Sequence, residues 1–232
     1  MSTLISCKNL CKSYGKKKVI RDLNLEIESG RIVGILGPNG SGKTTLIKLL
    51  CGLLQANSGG ASIHGMPVGI DTKKIVSYLP ERTYLSDYMT VRDAIRFFED
   101  FYEDFQRQTA IEMLERLNLS IDSKIKTLSK GNREKIQLIL VMSRHAKLYL
   151  LDEPIGGVDP AARDYILKTI LGNYNEDATI VITTHLINDV EKILDDIVFI
   201  RDGDVILHQQ ADELRLQKGK SVDALFRETF AC

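Results

Sequence analysis

The sequence has no excess of charge of either sign: 31 lysines and arginines face 31 aspartates and glutamates over 232 residues. A general nucleic-acid binder would carry a basic surplus, so the balance argues against nucleic acid as a partner. Long apolar runs are also missing. Runs such as Leu138 to Met142 and Leu148 to Leu151 fall far short of the ~20 residues that cross a bilayer. Met1 to Leu10 has no basic stretch followed by an apolar core, so no secretory leader is expected. Cysteine is scarce, and Cys7, Cys11, Cys51 and Cys232 suit neither a disulfide framework nor paired C-x-x-C metal knuckles. No internal repeat or low-complexity segment interrupts the chain. The expectation left standing is a soluble, cytosolic, reduced protein. Its 44% hydrophobic residues are enough for one large core and too many for a disordered chain.

Strand and helix patterns alternate along the chain, which favours an α/β fold. Leu4 to Tyr14 and Val19 to Glu28 read as a hairpin around Gly15 and the run Lys16-Lys17-Lys18. Arg31 to Leu36 reads as a strand. Lys43 to Leu54 repeats leucine and isoleucine at helical spacing, with Gly52 marking an end nearby. Further helices are expected from Thr90, where Asp93 completes a short capping box, over Gln108 to Leu117 and over Arg133 to Arg144. Leu148 to Leu151 and Ala178 to Thr183 are continuous apolar runs of the buried parallel-strand type. Asp202-Gly203 marks a second hairpin, between Ile197 to Arg201 and Asp204 to Leu207. The chain from Ala211 onward reads as amphipathic helix. Residues 1–81 and 148–210 are therefore assigned to the core of a single domain, 82–147 to a helical insertion and 211–232 to a tail.

Two motifs carry chemistry. Gly37-Pro38-Asn39-Gly40-Ser41-Gly42-Lys43-Thr44 matches G-x-x-x-x-G-K-[ST], a phosphate-binding loop, or P-loop. Its glycines let backbone N–H groups turn inward around phosphate oxygens, and the following helix presents its positive end to the same anion. Lys43 can reach the β- and γ-phosphates, the Thr44 hydroxyl can ligate Mg²⁺, and Thr45 completes the cradle. Downstream, Asp152-Glu153-Pro154 places two carboxylates just past a buried strand, at the sheet edge where ligands of parallel sheets gather. Asp152 suits Mg²⁺ and Glu153 suits the polarisation of an attacking water. Thr183-Thr184-His185 ends the next strand at the same edge, which gives His185 a γ-phosphate and a water to orient.

P-loop, Leu128-Ser129-Lys130-Gly131-Asn132, Asp-Glu-Pro and strand-terminal histidine, in that order, resemble the ATP-binding subunit of an ABC transporter from about Ser6 to about Leu214. The resemblance implies a P-loop NTPase core with a mostly parallel sheet, an N-terminal antiparallel β-subdomain and an inserted α-helical subdomain. It implies ATP and Mg²⁺ as cofactors, Tyr14 stacked on adenine, and a head-to-tail dimer with a second ATP-binding subunit. In that dimer Ser129 and Gly131 face the γ-phosphate across the interface. Gly156-Gly157-Val158-Asp159 matches the loop through which such subunits communicate. A transmembrane permease subunit would hold the protein, otherwise cytoplasmic, at the inner face of the plasma membrane.

Two departures from the family pattern stand out. Tyr78-Leu79-Pro80-Glu81 carries a carboxylate where glutamine is usual, so Glu81 can accept from water or bind Mg²⁺. Lys130 replaces a signature glycine and adds positive charge. Together with the run Asp152-Glu153-Pro154-Ile155-Gly156-Gly157-Val158-Asp159-Pro160, both resemble bacterial exporter ATPases of the bacitracin-resistance and acetoin-utilisation-associated branch. Among the clustered aromatics, Phe97, Phe98, Phe101 and Phe105 recur at helical spacing, and at least half should be buried. Tyr84, Tyr88 or Tyr102 is expected to line a groove for a short cytoplasmic helix of the permease, while Asp100, Glu103 and Asp104 read as a solvated face.

A soluble ABC-type ATPase acting on ribosomes or DNA is the competing class. It is disfavoured because the chain shows one cassette, no long coiled coil and no basic footprint. A P-loop kinase or GTPase is weaker still, for want of an Asn-Lys-x-Asp motif and any use for the signature segment.

Overall fold

A computed structural model describes residues 2–156, 160–173 and 177–230. Gly157, Val158 and Asp159 of the expected communication loop lie outside the described residues.

The amino-terminal third forms an antiparallel sheet. β1 (Thr3–Tyr14) and β2 (Lys17–Glu28) pair as a hairpin, and β1 also pairs with β4 (Ser58–Ile63), which continues to the two-residue β5 (Met66–Pro67). Between them the chain dips into a second sheet as β3 (Ile32–Leu36) and returns through α1 (Lys43–Leu50). After α2 (Ile70–Ile75) and β6 (Val76–Leu79) come α3 (Val91–Phe101), α4 (Arg107–Arg116), a 3₁₀ turn over Ile125–Thr127 and α5 (Lys130–Met142). The second sheet then resumes with β7 (Leu148–Asp152), α6 (Pro160–Asn173), β8 (Thr179–Thr184), α7 (Ile187–Val190), β9 (Asp196–Arg201) and β10 (Asp204–Gln210). The chain closes with α8 (Ala211–Lys218) and α9 (Val222–Phe230). The second sheet runs β10-β9-β3-β8-β7-β6 and is parallel except for β10. The fold is therefore α/β, with a mostly parallel sheet beside an antiparallel one.

The central strands are buried on both faces, and their side chains divide by the period of two. Tyr149 and Leu151 of β7, with Ile180 and Ile182 of β8, join the helices α3 to α7 in one core. Leu148, Leu150 and Val181 point the other way, into a core shared with α1 and the antiparallel sheet. Leu46, Ile47, Leu49 and Leu50 cover that face from α1, each contributing about 1.5–3 kcal/mol of burial.

Several sequence boundaries move. The pattern Lys43 to Leu54 stops as a helix at Leu50, because Gly52 turns the chain with φ 67°. The helix expected from Arg133 begins at Lys130, since the Ser129 hydroxyl accepts the Asn132 N–H and caps it there. It ends at Met142, which releases Arg144 from the helix. The Thr90 capping box forms as expected, with Asp93 Oδ2 accepting the Thr90 N–H at 2.8 Å. Phe98 and Phe105 are buried while Phe97 and Phe101 are exposed. Phe105 lies beyond α3 and reaches Phe98 from a bridge to Arg144.

Asp104 corrects the expectation of a solvated face. It grips the buried Arg144 guanidinium through both oxygens, at 2.8 and 3.0 Å. Arg144 also donates to the Val76 and Lys74 carbonyls and lies 3.8 Å from the Tyr102 ring centroid. Its five-donor fork suits such a convergence of acceptors.

Candidate functional site

Parallel register assembles the site. Leu36, the last residue of β3, pairs with Thr184 of β8, and Asp152, the last of β7, pairs with Thr183. Three segments distant in sequence thus leave the sheet at one edge: the loop from Gly37, the acidic pair at 152–153, and His185.

The loop 37–42 folds tightly because its glycines permit it. Gly42 caps α1 with φ 110°, and a side chain there would meet Ile20 Cδ1 at 2.9 Å and the Val19 carbonyl at 3.0 Å. Gly37 is crowded in another way, since a Cβ would stand 2.4 Å from the Ile200 carbonyl. Ser41 is buried, and its carbonyl accepts the Gly203 N–H at 2.9 Å, tying the loop to the β9–β10 turn. Lys43 turns back over the loop and donates to the Gly37 carbonyl at 2.7 Å and the Pro38 carbonyl at 3.3 Å. Burial holds the Lys43 ammonium below the usual lysine range, against the opposing pull of Glu153 and Asp152.

Asp152 is 1% exposed. Its Oδ1 accepts the Thr183 hydroxyl at 2.6 Å and the Thr44 hydroxyl at 3.2 Å, while Oδ2 is enclosed with no hydrogen-bond partner among the described residues. Burial pushes its pKa up from the ordinary carboxylate value, with the two hydroxyls pulling the other way. An enclosed, unpaired carboxylate oxygen beside a threonine hydroxyl fits a hard cation that brings its own oxygen ligands. Among the described residues no group of three or more His, Cys, Asp or Glu side chains is placed to hold a metal alone.

Glu153 departs from the strand with φ 50°, in the left-handed region that non-glycine residues seldom occupy. The turn is held on both sides: its N–H donates to the Thr183 carbonyl at 3.0 Å, and its carbonyl accepts the Gly156 N–H at 3.0 Å. The carboxylate is thereby aimed between two basic groups. Oε2 lies 3.0 Å from His185 Nδ1, and Oε1 lies 3.8 Å from Lys43 Nζ. A carboxylate so held can accept a proton from a water at its free edge.

These groups face an open cavity of about 950 Å³. Asn39, Gly40, Gly42, Thr44 and Thr45 form its floor, with Lys43, Glu153 and His185. Tyr14, about half exposed, stands on its wall, and Glu81 is exposed on its margin. Gly37, Pro38, Ser41 and Asp152 are not among its lining residues. Ser129 and Gly131 are not on this wall, although their neighbours Lys130 and Glu134 are. Ser129 is exposed at the head of α5, and nothing lies within 4 Å of where a Gly131 side chain would begin. Lys17, Val19, Arg82 and Thr83 also line the cavity, and sequence reasoning missed them. Lys17 belongs to the lysine run in the first hairpin, and only the folding of that hairpin over the P-loop gives it a place here. Thr183 was legible only as part of the strand end, yet its hydroxyl serves Asp152 and its backbone serves Glu153.

A second cavity of about 410 Å³ is lined by Leu53, Tyr78, Tyr84, Phe97, Tyr102 and Arg144 among others. Tyr84 and Tyr102, two of the three tyrosines singled out for a groove, line this cavity. Tyr88, 86% exposed, does not line it.

Comparison with known proteins gives the same picture. The family model described as ABC transporter matches residues 20–156. The ABC transporter ATP-binding protein YdbJ of Bacillus subtilis (strain 168) is 31% identical over 211 residues, spanning 87% of this chain and 68% of that protein. The lipopolysaccharide export system ATP-binding protein LptB of Haemophilus influenzae is 30% identical over 215 residues, spanning 88% and 89%. A solved ATP-binding subunit of an ABC transporter superposes with a TM-score of 0.87 at 29% identity, over 97% of this chain and 99% of that one. Neither relative bears a bacitracin-resistance name, so that narrower resemblance rests on residues such as Glu81 and Lys130 alone.

Proposed function

Because this chain belongs to the ABC transporter family as an ATP-binding, ATP-hydrolysing subunit, we propose that it powers an exporter by closing as a dimer around two ATP molecules. The observation that carries the reading is the convergence of Lys43, Glu153 and His185 on one cavity above a P-loop.

In this reading Tyr14 stacks on adenine, and the backbone N–H groups from Gly37 to Thr45 cradle the phosphates with the amino-terminus of α1 behind them. Lys43 exchanges its carbonyl partners for the β- and γ-phosphate oxygens. Thr44 and Asp152 would hold Mg²⁺, with Glu81 on the cavity margin as a further acceptor. The ion, when bound, offsets phosphate charge as it develops. Glu153 takes a proton from the attacking water, while His185 orients the water and the γ-phosphate. Ser129 and Gly131 of the second subunit, at the head of α5, complete the site from across the interface.

Among the described residues no helix is long and apolar enough to cross a membrane. In this reading a separate permease subunit supplies the passage, and it seats a short helix in the groove at Tyr84 and Tyr102. The protein works from the inner face of the membrane. Likeness to a protein named for lipopolysaccharide export supports outward transport.

Glu153→Gln tests the reading: the variant should bind ATP, fail to turn it over and accumulate as a dimer by size-exclusion chromatography. A variant that stays monomeric at saturating ATP defeats the proposal.

A further inference from the structure

One polar side chain of α5 is buried without a part in the chemistry above. Gln137 is 3% exposed, and both ends of its amide are engaged by one loop. Its Oε1 accepts the Tyr84 N–H at 3.1 Å and its Nε2 donates to the Pro80 carbonyl at 3.4 Å. The residues between those two contacts, Glu81, Arg82 and Thr83, line the ATP cavity and belong to no helix or strand. A buried amide that satisfies backbone groups of an irregular segment fixes its path, because losing the partner would strand those groups away from water.

The same face of α5 repeats the contact one turn earlier. Arg133 Nη1 donates to Asp87 Oδ1 at 3.2 Å, and Glu134 and Lys130 on that stripe line the cavity themselves. Residues 130, 133, 134 and 137 follow the i, i+3, i+4, i+7 spacing of one helix face. Ser129, the cap of this helix, lies eight residues before Gln137, about 12 Å along the axis.

We infer that Gln137 is a positioning residue for ATP hydrolysis: it fastens the loop 80–84 to α5, so that the cavity margin and the head of α5 move as one body. The inference deepens the proposed function, since it gives that site a strut between its margin and the segment offered to the second subunit. Gln137 is not among the residues that line the ATP cavity. It acts through the loop.

The test is Gln137→Met in the full-length chain, which keeps the shape and removes both hydrogen bonds. ATPase kinetics are read beside hydrogen exchange of the segment 80–88. The expected result is a kcat lower by about 10- to 100-fold with KM for ATP nearly unchanged, since the P-loop contacts are untouched. Exchange over 80–88 should rise about tenfold or more, with no change over 37–50. Gln137→Glu, which keeps an acceptor for the Tyr84 N–H, should retain more of kcat than the methionine variant. An unchanged kcat overturns the inference, and so does a lowered kcat with unaltered exchange over 80–88. Glu81→Ala, which removes the side-chain oxygens, separates the two readings. Wild-type turnover there would remove the metal-side role proposed for Glu81, whereas the strut stands or falls on the Gln137 variants alone.

Discussion

His185 Nδ1 and Glu153 Oε2 lie 3.0 Å apart although 32 residues separate them in the chain. Glu153 is turned inward by a left-handed backbone that Thr183 and Gly156 hold on either side. His185 follows the strand that carries Thr183. One threonine therefore sets the distance between the two groups, and a base held by a second group is the arrangement that proton transfer requires.

This pair predicts a separation of binding from turnover. His185→Ala removes the imidazole from a partly exposed position and leaves the P-loop intact. It is expected to lower kcat by about 100-fold or more, with little change in nucleotide affinity. Steady-state ATPase assays with a fluorescent-nucleotide titration check both halves. An affinity loss as large as the loss of kcat would make His185 a binding group instead.

Asp152 predicts a pH-dependent gain in stability. Its folded-state pKa is raised by burial, so folding favours the protonated form. The group's favourable contribution is complete at acid pH below the unfolded value and is lost as pH rises through the folded value. At neutral pH the charged carboxylate, with Oδ2 unpaired among the described residues, is a burden on the free chain. Asp152→Asn should raise the melting temperature near pH 7 by about 2–4 °C, and the advantage should shrink as the pH falls towards the carboxylate range. Mg²⁺-dependent ATPase activity should be lost in the same variant. Thermal melts across pH without nucleotide measure the first effect; an advantage that grew with acidity would contradict the burial argument.

Arg144 predicts a stability defect distant from the chemistry. Its guanidinium joins Asp104, the carbonyls of Val76 and Lys74, and the face of Tyr102. Arg144→Met strips those acceptors of their partner and leaves Asp104 unpaired, at a cost of about 3–5 kcal/mol. Urea unfolding should show the midpoint falling without a change of slope. Asp104→Asn, which keeps an acceptor, should cost less.

Much of the fold was legible because the signals are local. Period-two and period-3.6 patterns, Asp202-Gly203 and the Thr90–Asp93 box each depend on a few consecutive residues, and each was realised. The start of α5 was misjudged because Lys130, Gly131 and Asn132 carry no apolar periodicity; the Ser129 hydroxyl set the boundary by capping. Asp104 looked like one of several surface acids, and only the release of Arg144 beyond Met142 gave it a partner. β4 and β5 carry too few apolar residues to announce themselves, and β6, though Val76, Tyr78 and Leu79 are apolar, is only four residues long; pairing of β4 with β1, β5 with β4 and β6 with β7 makes them strands.

By itself the sequence determined the chemical parts: a glycine loop that can only turn around an anion, a lysine and threonine at the head of a helix, two adjacent carboxylates and a histidine past buried strands. These follow from residue type and short spacing, where the physics is local. Tertiary structure alone decided the rest. It aligned β3, β7 and β8 so that the parts share one edge, left Asp152 Oδ2 without a partner among the described residues, and hung the loop 80–84 on Gln137. Such relations join residues from 31 to 148 positions apart, and no local propensity encodes them, because their energy exists only once the cores on both faces of the sheet have closed.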